Sequence, residues 1–275
     1  MRFNFVSIMA YILVGVFTYL VITKFTDNPA IFINPEGLVV VIGGLMVAGL
    51  ASFPFINLLE AIKAAWRAMS RSVYIPVEEA REVVRIATIG QRGLARLESE
   101  LESIENEFMR TGIELMLDGV TPKIFIALMQ KRVTEYQERS SRSVNVMLTL
   151  SKFAPALGLA ATVLGLVQLL TKLGAAEMDQ LGHGMAVALS GTFYGIMVAN
   201  LFFQPLAELI QMKTESDVKS REMVLEGLHA ILERQEPLLI GELVNSYLPD
   251  SHRINFTEEL ESIASESRTR AEAAA

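Results

Sequence analysis

Residues 5–23, 37–56, 153–171 and 185–207 contain no Asp, Glu, Lys, Arg or His. Each run is about 19 to 23 residues long, enough to cross a hydrocarbon core of ~30 Å as a helix. Inside a bilayer no water satisfies backbone N–H and C=O groups, so four separate apolar runs of this length can only be helices. The expected fold is therefore an all-α integral membrane protein with four transmembrane helices and a helical cytoplasmic domain between spans two and three. No span offers a side chain that can carry a proton. If the chain moves ions, a partner supplies the charge.

The rest of the composition narrows the class. Of 275 residues, 51% are hydrophobic and 20% charged, so substantial aqueous mass accompanies the membrane mass. There is no cysteine, which excludes disulfides, a thiolate nucleophile and Cys-ligated metal. The first run follows Arg2 but leads into Lys24-Phe25-Thr26-Asp27-Asn28-Pro29 rather than a small-residue cleavage site, and is read as a span, not a leader. No P-loop, HExxH or Ser-His-Asp arrangement occurs. Gly182, Gly184, Gly191 and Gly195 follow no strand pattern, which rejects a dinucleotide fingerprint. His183, His229 and His252 lie far apart, His183 in the short outer loop. No enzyme, cofactor, metal or nucleic-acid partner is expected.

Basic residues set the orientation. The loops after spans one and three hold one each, Lys24 and Lys172. The central segment carries Lys63, Arg67 and Arg71 at one margin and Arg139, Arg142 and Lys152 at the other, and Lys213, Lys219 and Arg221 follow span four. The positive-inside bias places both termini and the central segment in the cytoplasm. The divisions are residues 1–57 (spans one and two), 58–151 (cytoplasmic), 152–210 (spans three and four) and 211–275 (a cytoplasmic helix and acidic tail).

Within the cytoplasmic segment, Pro76 before Val77-Glu78-Glu79 reads as a helix start, with acids at the positive dipole end. Gly90 and Gly93 bracket a break. Leu94, Leu97, Leu101 and Ile104 recur at helical spacing. Asp118-Gly119 marks a turn, and Thr121-Pro122 starts a helix that meets no breaker until Pro155. Helices are thus expected to run on from membrane to cytoplasm. The tail after Pro249 is expected to be loosely ordered.

Spans three and four carry matching faces. Gly158, Thr162, Gly165 and Leu169 are spaced by four, three and four; so are Ala188, Thr192, Gly195 and Ala199. Small residues there let backbones approach closely. Each Thr hydroxyl either bonds its own backbone one turn back or lines a wet path. Pro155 and Pro205 near the inner ends are kinks or hinges. Gly44, Ala48 and Ser52 form a packing face on span two. Asn200 and Gln204 are expected to bond between helices.

These residues resemble a known family. Pro155-Ala156-Leu157-Gly158 with Thr162 and Gly165-Leu166 resembles the third-span motif of MotA/PomA flagellar stator subunits. Leu181-Gly182, Gly184-Met185, Ala188-Leu189, Thr192, Tyr194-Gly195, Ala199-Asn200 and Pro205 are similar to the fourth-span motif. Asn34-Pro35-Glu36-Gly37, Gly43-Gly44 and Phe53-Pro54 resemble the limits of the second span, and Leu117, Asp118 and Gly119 a cytoplasmic turn. The resemblance implies a homopentamer around two MotB/PomB-like single-span subunits that carry a membrane Asp, in a bacterial inner membrane, with the cytoplasmic domain pushing a flagellar rotor. It implies that Thr162 and Thr192 line the ion path, that Gly158, Gly165, Ala188, Gly195 and Ala199 pack on a face turned to the partner, and that Pro155 and Pro205 couple ion occupancy to movement. Rotor contact falls to Arg92, Arg96 and Glu98, with Gly90 and Gln91 where the family usually has basic residues. Sodium-type members tend to carry a Thr directly before the span-four Thr; Gly191 stands there, which implies a proton as the transported ion, with sodium second.

Two other readings compete. One is a TolQ/ExbB-like energiser of an envelope process, usually with three spans. The other is a passive membrane scaffold, for which Thr162→Val and Thr192→Val would be silent. Gliding or defence motors share the same ring type.

Overall fold

The computed structural model describes residues 5–25, 32–70, 75–91, 93–172 and 178–257, which are helical with short turns and no strand. They fall into two compact units. One draws on Met1–Ser72 and Arg139–Lys213, the other on Val73–Glu138 and Thr214–Ala275.

The first unit contains α1 (Phe5–Phe25), α2 (Pro35–Ser52) and α3 (Phe55–Ser70). It also holds the C-terminal half of α7 (Pro122–Lys172), α8 (Met178–Val198), a π turn (Ala199–Phe203) and the start of α9 (Gln204–Leu232). Three described stretches are long and apolar enough to cross a membrane: Pro35–Ser52, Pro122–Thr171 and Gly184–Leu232. Their outward side chains, among them Met46, Val47, Leu159, Val163 and Leu189, are exposed, as expected of a surface solvated by lipid.

Capping starts α2. The Asn34 side chain accepts from Gly37 N at 3.0 Å, and Pro35 occupies the first turn, where its missing N–H costs nothing. A π turn at Val39–Gly43 then widens the helix. The buried stripe runs from Val41 within this turn through Leu45 to Gly49. The expected Gly44, Ala48, Ser52 face is off by one position at its far end, where Ser52 is exposed. At its near end the face does pack, since a Cβ added at Gly44 would lie 2.6 Å from the Leu157 side chain. A second π turn, Ala199–Phe203, ends two residues before Pro205. The extra residue per turn absorbs the ring clash and the lost hydrogen bond that a proline brings. Asn200 does not bridge helices: its Nδ2 donates to Ile196 O one turn back at 3.0 Å.

The second unit is built around a core of large apolar side chains. α4 (Val77–Gly90) begins after Pro76 with Glu78 and Glu79 in its first turn. The 94–104 stretch is not one helix. α5 (Leu94–Glu98) and a single 3-10 turn (Leu101–Ser103) precede an Asn106 cap that starts α6 (Glu107–Leu117). The apolar spacing still serves burial, since Leu97 and Ile104 are fully buried. Gly119, at φ 72°, makes the turn into α7, which then runs unbroken through Pro155. With α9 and α10 (Pro237–Asn245), these helices enclose Phe125, Met109, Met116, Met129, Met223 and Leu228. The chain after Pro249 is packed as far as the described residues reach. Asn245 exchanges two hydrogen bonds with Ile254, at 2.9 and 3.0 Å, and Phe256 is buried.

Candidate functional site

The site lies where α7 and α8 cross, and backbone sterics bring it together. A Cβ added at Gly158 would lie 2.9 Å from Gly191 O and 3.1 Å from the Thr192 Cα. At Gly165 it would lie 2.8 Å from both Ala188 N and Gly184 O, and at Gly195 it would meet Ala154 O at 2.5 Å. At Gly191 it would meet the Ala161 Cβ at 2.3 Å. All but the 3.1 Å distance are below any real Cβ contact, and at Gly158, Gly165 and Gly195 the atom met is backbone, so the two helices touch backbone to backbone there. The sequence placed Gly158, Gly165, Ala188 and Gly195 on a face turned to a partner; in the structure they lie between two helices of one chain. Ala199 is buried at the π turn beside Val41 and Ala154.

The close approach sets two hydroxyls together. Thr162 Oγ1 and Thr192 Oγ1 share a short hydrogen bond. Thr162 Oγ1 also lies 3.1 Å from Gly158 O, one turn back, and 3.1 Å from Ala188 O across the crossing. Thr192 Oγ1 lies 3.3 Å from Gly158 O and 3.5 Å from Ala188 O. Of the two sequence options for these hydroxyls, the structure shows backbone bonding, one turn back and across the crossing. The two hydroxyls bring two protons to four oxygens, whose two carbonyls also accept helical N–H groups, and the hydroxyl oxygens keep spare acceptor capacity. Both threonines are half-buried rather than sealed. The cluster can accept a hydrogen bond from a neutral carboxylic acid or help to hold a partly desolvated cation.

A second clamp, which the sequence reading did not assign, fixes α8 against the start of α2. Asn34 N donates to the Tyr194 hydroxyl at 2.7 Å, and that hydroxyl donates to Phe32 O. A Cβ at Gly37 would lie 3.2 Å from both Gly191 N and Ser190 Oγ. The partners are 160 and 162 residues apart, beyond the reach of any local pattern.

Pro155 sits inside α7, next to the Ala154 carbonyl that Gly195 presses on. Pro205 follows the π turn. In the second unit, Arg96 and Glu98 are exposed on α5, which the buried Leu97 pins to the core. Arg92 lies outside the described residues. Around that helix, Arg85 pairs with Glu100 at 2.9 Å and Glu82 at 3.6 Å. Burial nevertheless holds the Glu82 carboxyl above its ordinary value, with Arg85 pulling the other way. No cluster of His, Cys, Asp or Glu able to hold a metal occurs among the described residues.

Fold and site together define a multi-span, all-helical membrane protein with a polar oxygen cluster at a tight helix crossing and a second compact helical unit. The profile of the MotA/TolQ/ExbB proton channel family matches residues 100–223. Motility protein A of Treponema pallidum is 30% identical over 228 residues, covering 81% of this chain and 86% of that protein. Chemotaxis protein PomA of Vibrio alginolyticus is 27% identical over 242 residues, covering 88% and 94%. The chain is a member of the MotA/TolQ/ExbB proton channel family. The fold agrees with the structure of C. jejuni MotAB at a TM-score of 0.83, with 22% identity over 90% of this chain and 98% of that one. It also agrees with the flagellar MotAB stator complex of Bacillus subtilis at 0.81, with 24% identity over 90% and 98%.

Proposed function

We infer that this chain is the channel-forming stator subunit of an ion-driven flagellar motor. The observation that carries the reading is the Thr162–Thr192 pair, set in two spans without an ionisable side chain. An ion path across a bilayer centre needs a titratable or charged group, and such groups there are costly and functional. In this reading the group is a membrane Asp on a MotB/PomB-like single-span subunit. When neutral, that Asp donates to the Thr162–Thr192 oxygens; when ionised, it leaves them. Five copies of this chain surround two copies of that partner in the bacterial inner membrane. α1 supplies a fourth span: its 21 residues reach about 31 Å at 1.5 Å per residue. Both termini and the soluble unit are cytoplasmic, as the basic residues indicate.

Pro155 and Pro205 pass the change in occupancy to α7 and α9, and Arg92, Arg96 and Glu98 meet the rotor. The Ala154 carbonyl against Gly195 makes Pro155 responsive to any shift at the crossing. Proton rather than sodium is the coupling ion. A threonine in place of Gly191 would drive its Cβ into Ala161, so the pair has no room for a further hydroxyl oxygen on that side. Because the family also includes TolQ and ExbB, an envelope energiser is the second reading. The soluble unit built from 73–138 and 214–257 favours the motor, since it offers a surface on which a rotor can be pushed.

The test is swimming of a stator-deletion strain supplied with this chain and its single-span partner. Restored swimming whose speed follows the proton gradient at constant sodium supports the reading. Speed that follows sodium at a fixed proton gradient rejects the proton assignment.

A further inference from the structure

In the membrane unit α2 is held by two different neighbours. Its outer end belongs to α8: Asn34 N donates to the Tyr194 hydroxyl at 2.7 Å, and a Cβ at Gly37 would lie 3.2 Å from Gly191 N and Ser190 Oγ. Its inner end faces α7: a Cβ at Gly44 would lie 2.6 Å from the Leu157 side chain, and one at Gly49 3.3 Å from that of Leu150. The π turn Val39–Gly43 lies between the two attachments. The other π turn, Ala199–Phe203, is accounted for by Pro205 just beyond it. No proline follows Val39–Gly43 within α2. Gly43 closes that turn, and nothing lies within 4 Å of a Cβ there, so close approach does not require a glycine. What glycine supplies at that position is backbone freedom.

Two further observations concern the inner segment, Gly44–Ser52. It ends at an extended residue, Phe53 (φ −135°, ψ 144°), followed by Pro54, so a rod of 9 residues has a break at each end. Beside the rod lies an apolar groove of about 730 Å³, bounded by Leu45, Met46 and Leu50 on the rod, Gly15 on α1, Ile62 on α3 and Phe202 on the second π turn. Of the rod's residues only Leu45 and Gly49 are buried. In a bilayer, fluid acyl chains fill such a groove. Turning an apolar helix face from acyl chains to protein changes little in free energy, because lipid tails are as apolar as leucine. The rod therefore has two joints, room to one side and a low cost for using it.

We propose that α2 is a jointed helix. Its outer end is a fixed part of α8, and the Gly44–Ser52 rod swings about the π turn into the groove. A π turn permits this because its extra residue can exchange one carbonyl partner for the next, leaving no unpaired backbone group for the bilayer to bear. The rod's neighbour Leu157 precedes Gly158, whose carbonyl accepts from Thr162 and Thr192. The rod thus follows α7 when α7 shifts against α8 at that crossing, and α2 stays attached to both. The purpose of the joint rests on the motor reading, in which the crossing responds to ion occupancy; the joint itself rests on the geometry of α2.

The chain has no cysteine, so introduced cysteines take paired nitroxide labels cleanly. Leu38, Val47 and Met185 are exposed, on the outer end of α2, the rod and α8 in turn. The test is electron paramagnetic resonance of the full-length chain in bilayers, with labelled copies diluted into unlabelled ones. Leu38→Cys with Met185→Cys is expected to give one distance, and Val47→Cys with Met185→Cys two resolved distances. Gly43→Ala stiffens the joint without a clash, and Gly15→Leu starts in open space and fills the groove. Each is expected to merge the two Val47 distances into one. A single Val47 distance in the unsubstituted chain overturns the proposal, as do two distances that persist in both variants. Two distances from Leu38 as well would show α2 moving as one rod and also overturn it. In the stator-deletion strain Gly43→Ala is expected to slow swimming by about half or more at unchanged protein level; unslowed swimming overturns the joint's place in the motor. If the unsubstituted chain restores no swimming, the motor reading fails while the label distances still decide the joint.

Discussion

The two units solve the packing problem with opposite residues. In the unit built from 73–138 and 214–257 the centre is filled by large side chains, Phe125, Met109, Met129, Met223 and Leu228, all fully buried. In the membrane unit the tightest contacts are between Gly158, Gly165, Gly184, Gly191 and Gly195, and backbone meets backbone. The difference is what two solvents would give, lipid around one unit and, in the proposed function, water around the other. In water, burying apolar area drives association at roughly 25 cal/mol per Å². In lipid that term vanishes between helices, and what remains is close van der Waals contact and hydrogen bonds across the crossing. The hydroxyl cluster of Thr162 and Thr192 exists because glycine contact brings the two helices near enough for hydroxyls to meet.

The sharpest way to break this contrast is Gly165→Val. Its branched side chain would start 2.8 Å from Ala188 N and Gly184 O, which are backbone and cannot yield. Loss of the protein from the membrane fraction, read by immunoblot, is expected; normal accumulation would show that the crossing tolerates separation. In the second unit the large effect should come from removing bulk instead. Phe125→Ala is expected to cost about 3–5 kcal/mol, read as a lowered thermal midpoint of the purified chain. Gly112→Ala there is expected to be milder than its 2.4 Å contact suggests, about 1–3 kcal/mol, because the atom met is the end of the Leu228 side chain.

Smaller changes sharpen the picture. Arg234 sits at φ 60°, with Arg234 N bonded to Ile231 O and Gln235 N to Ala230 O, a Schellman ending in which glycine is the usual residue. Arg234→Gly is expected to stabilise by up to about 1 kcal/mol, visible as a raised thermal midpoint. The smallest effect concerns Glu82, whose carboxyl is raised by burial. Folding favours its protonated form, so its contribution to stability falls as pH rises from the ordinary carboxylate value through the raised one. Glu82→Gln is therefore expected to raise the midpoint at neutral pH, with the gain disappearing below about pH 4.

Much of the membrane architecture was legible because lipid leaves few alternatives. Three of the uncharged runs marked stretches long and apolar enough to cross a membrane, and the four-three-four spacing of Gly158, Thr162, Gly165 and Leu169 marked a close-packing face, although the resemblance turned that face to a partner rather than to α8. The long α7 was legible from the absence of breakers after Pro122. The Asn34–Tyr194 clamp was not, because nothing local in either segment reports a contact 160 residues away. The π turn at Val39–Gly43 was hidden too: it shifts which residues are buried, while hydropathy there is uniform. The break of the 94–104 stretch was missed because apolar spacing records burial and not hydrogen bonding. Its visible signal was Asn106, a capping residue at the start of α6.

The central claim is that this chain leaves the membrane charge to a partner. It is tested most directly by purifying the chain with its single-span partner and weighing the intact complex by native mass spectrometry. Five copies of this chain with two copies of the partner is the predicted mass. A stable assembly of this chain alone, with no partner bound, would leave the Thr162–Thr192 site with no titratable group to serve and would contradict the account.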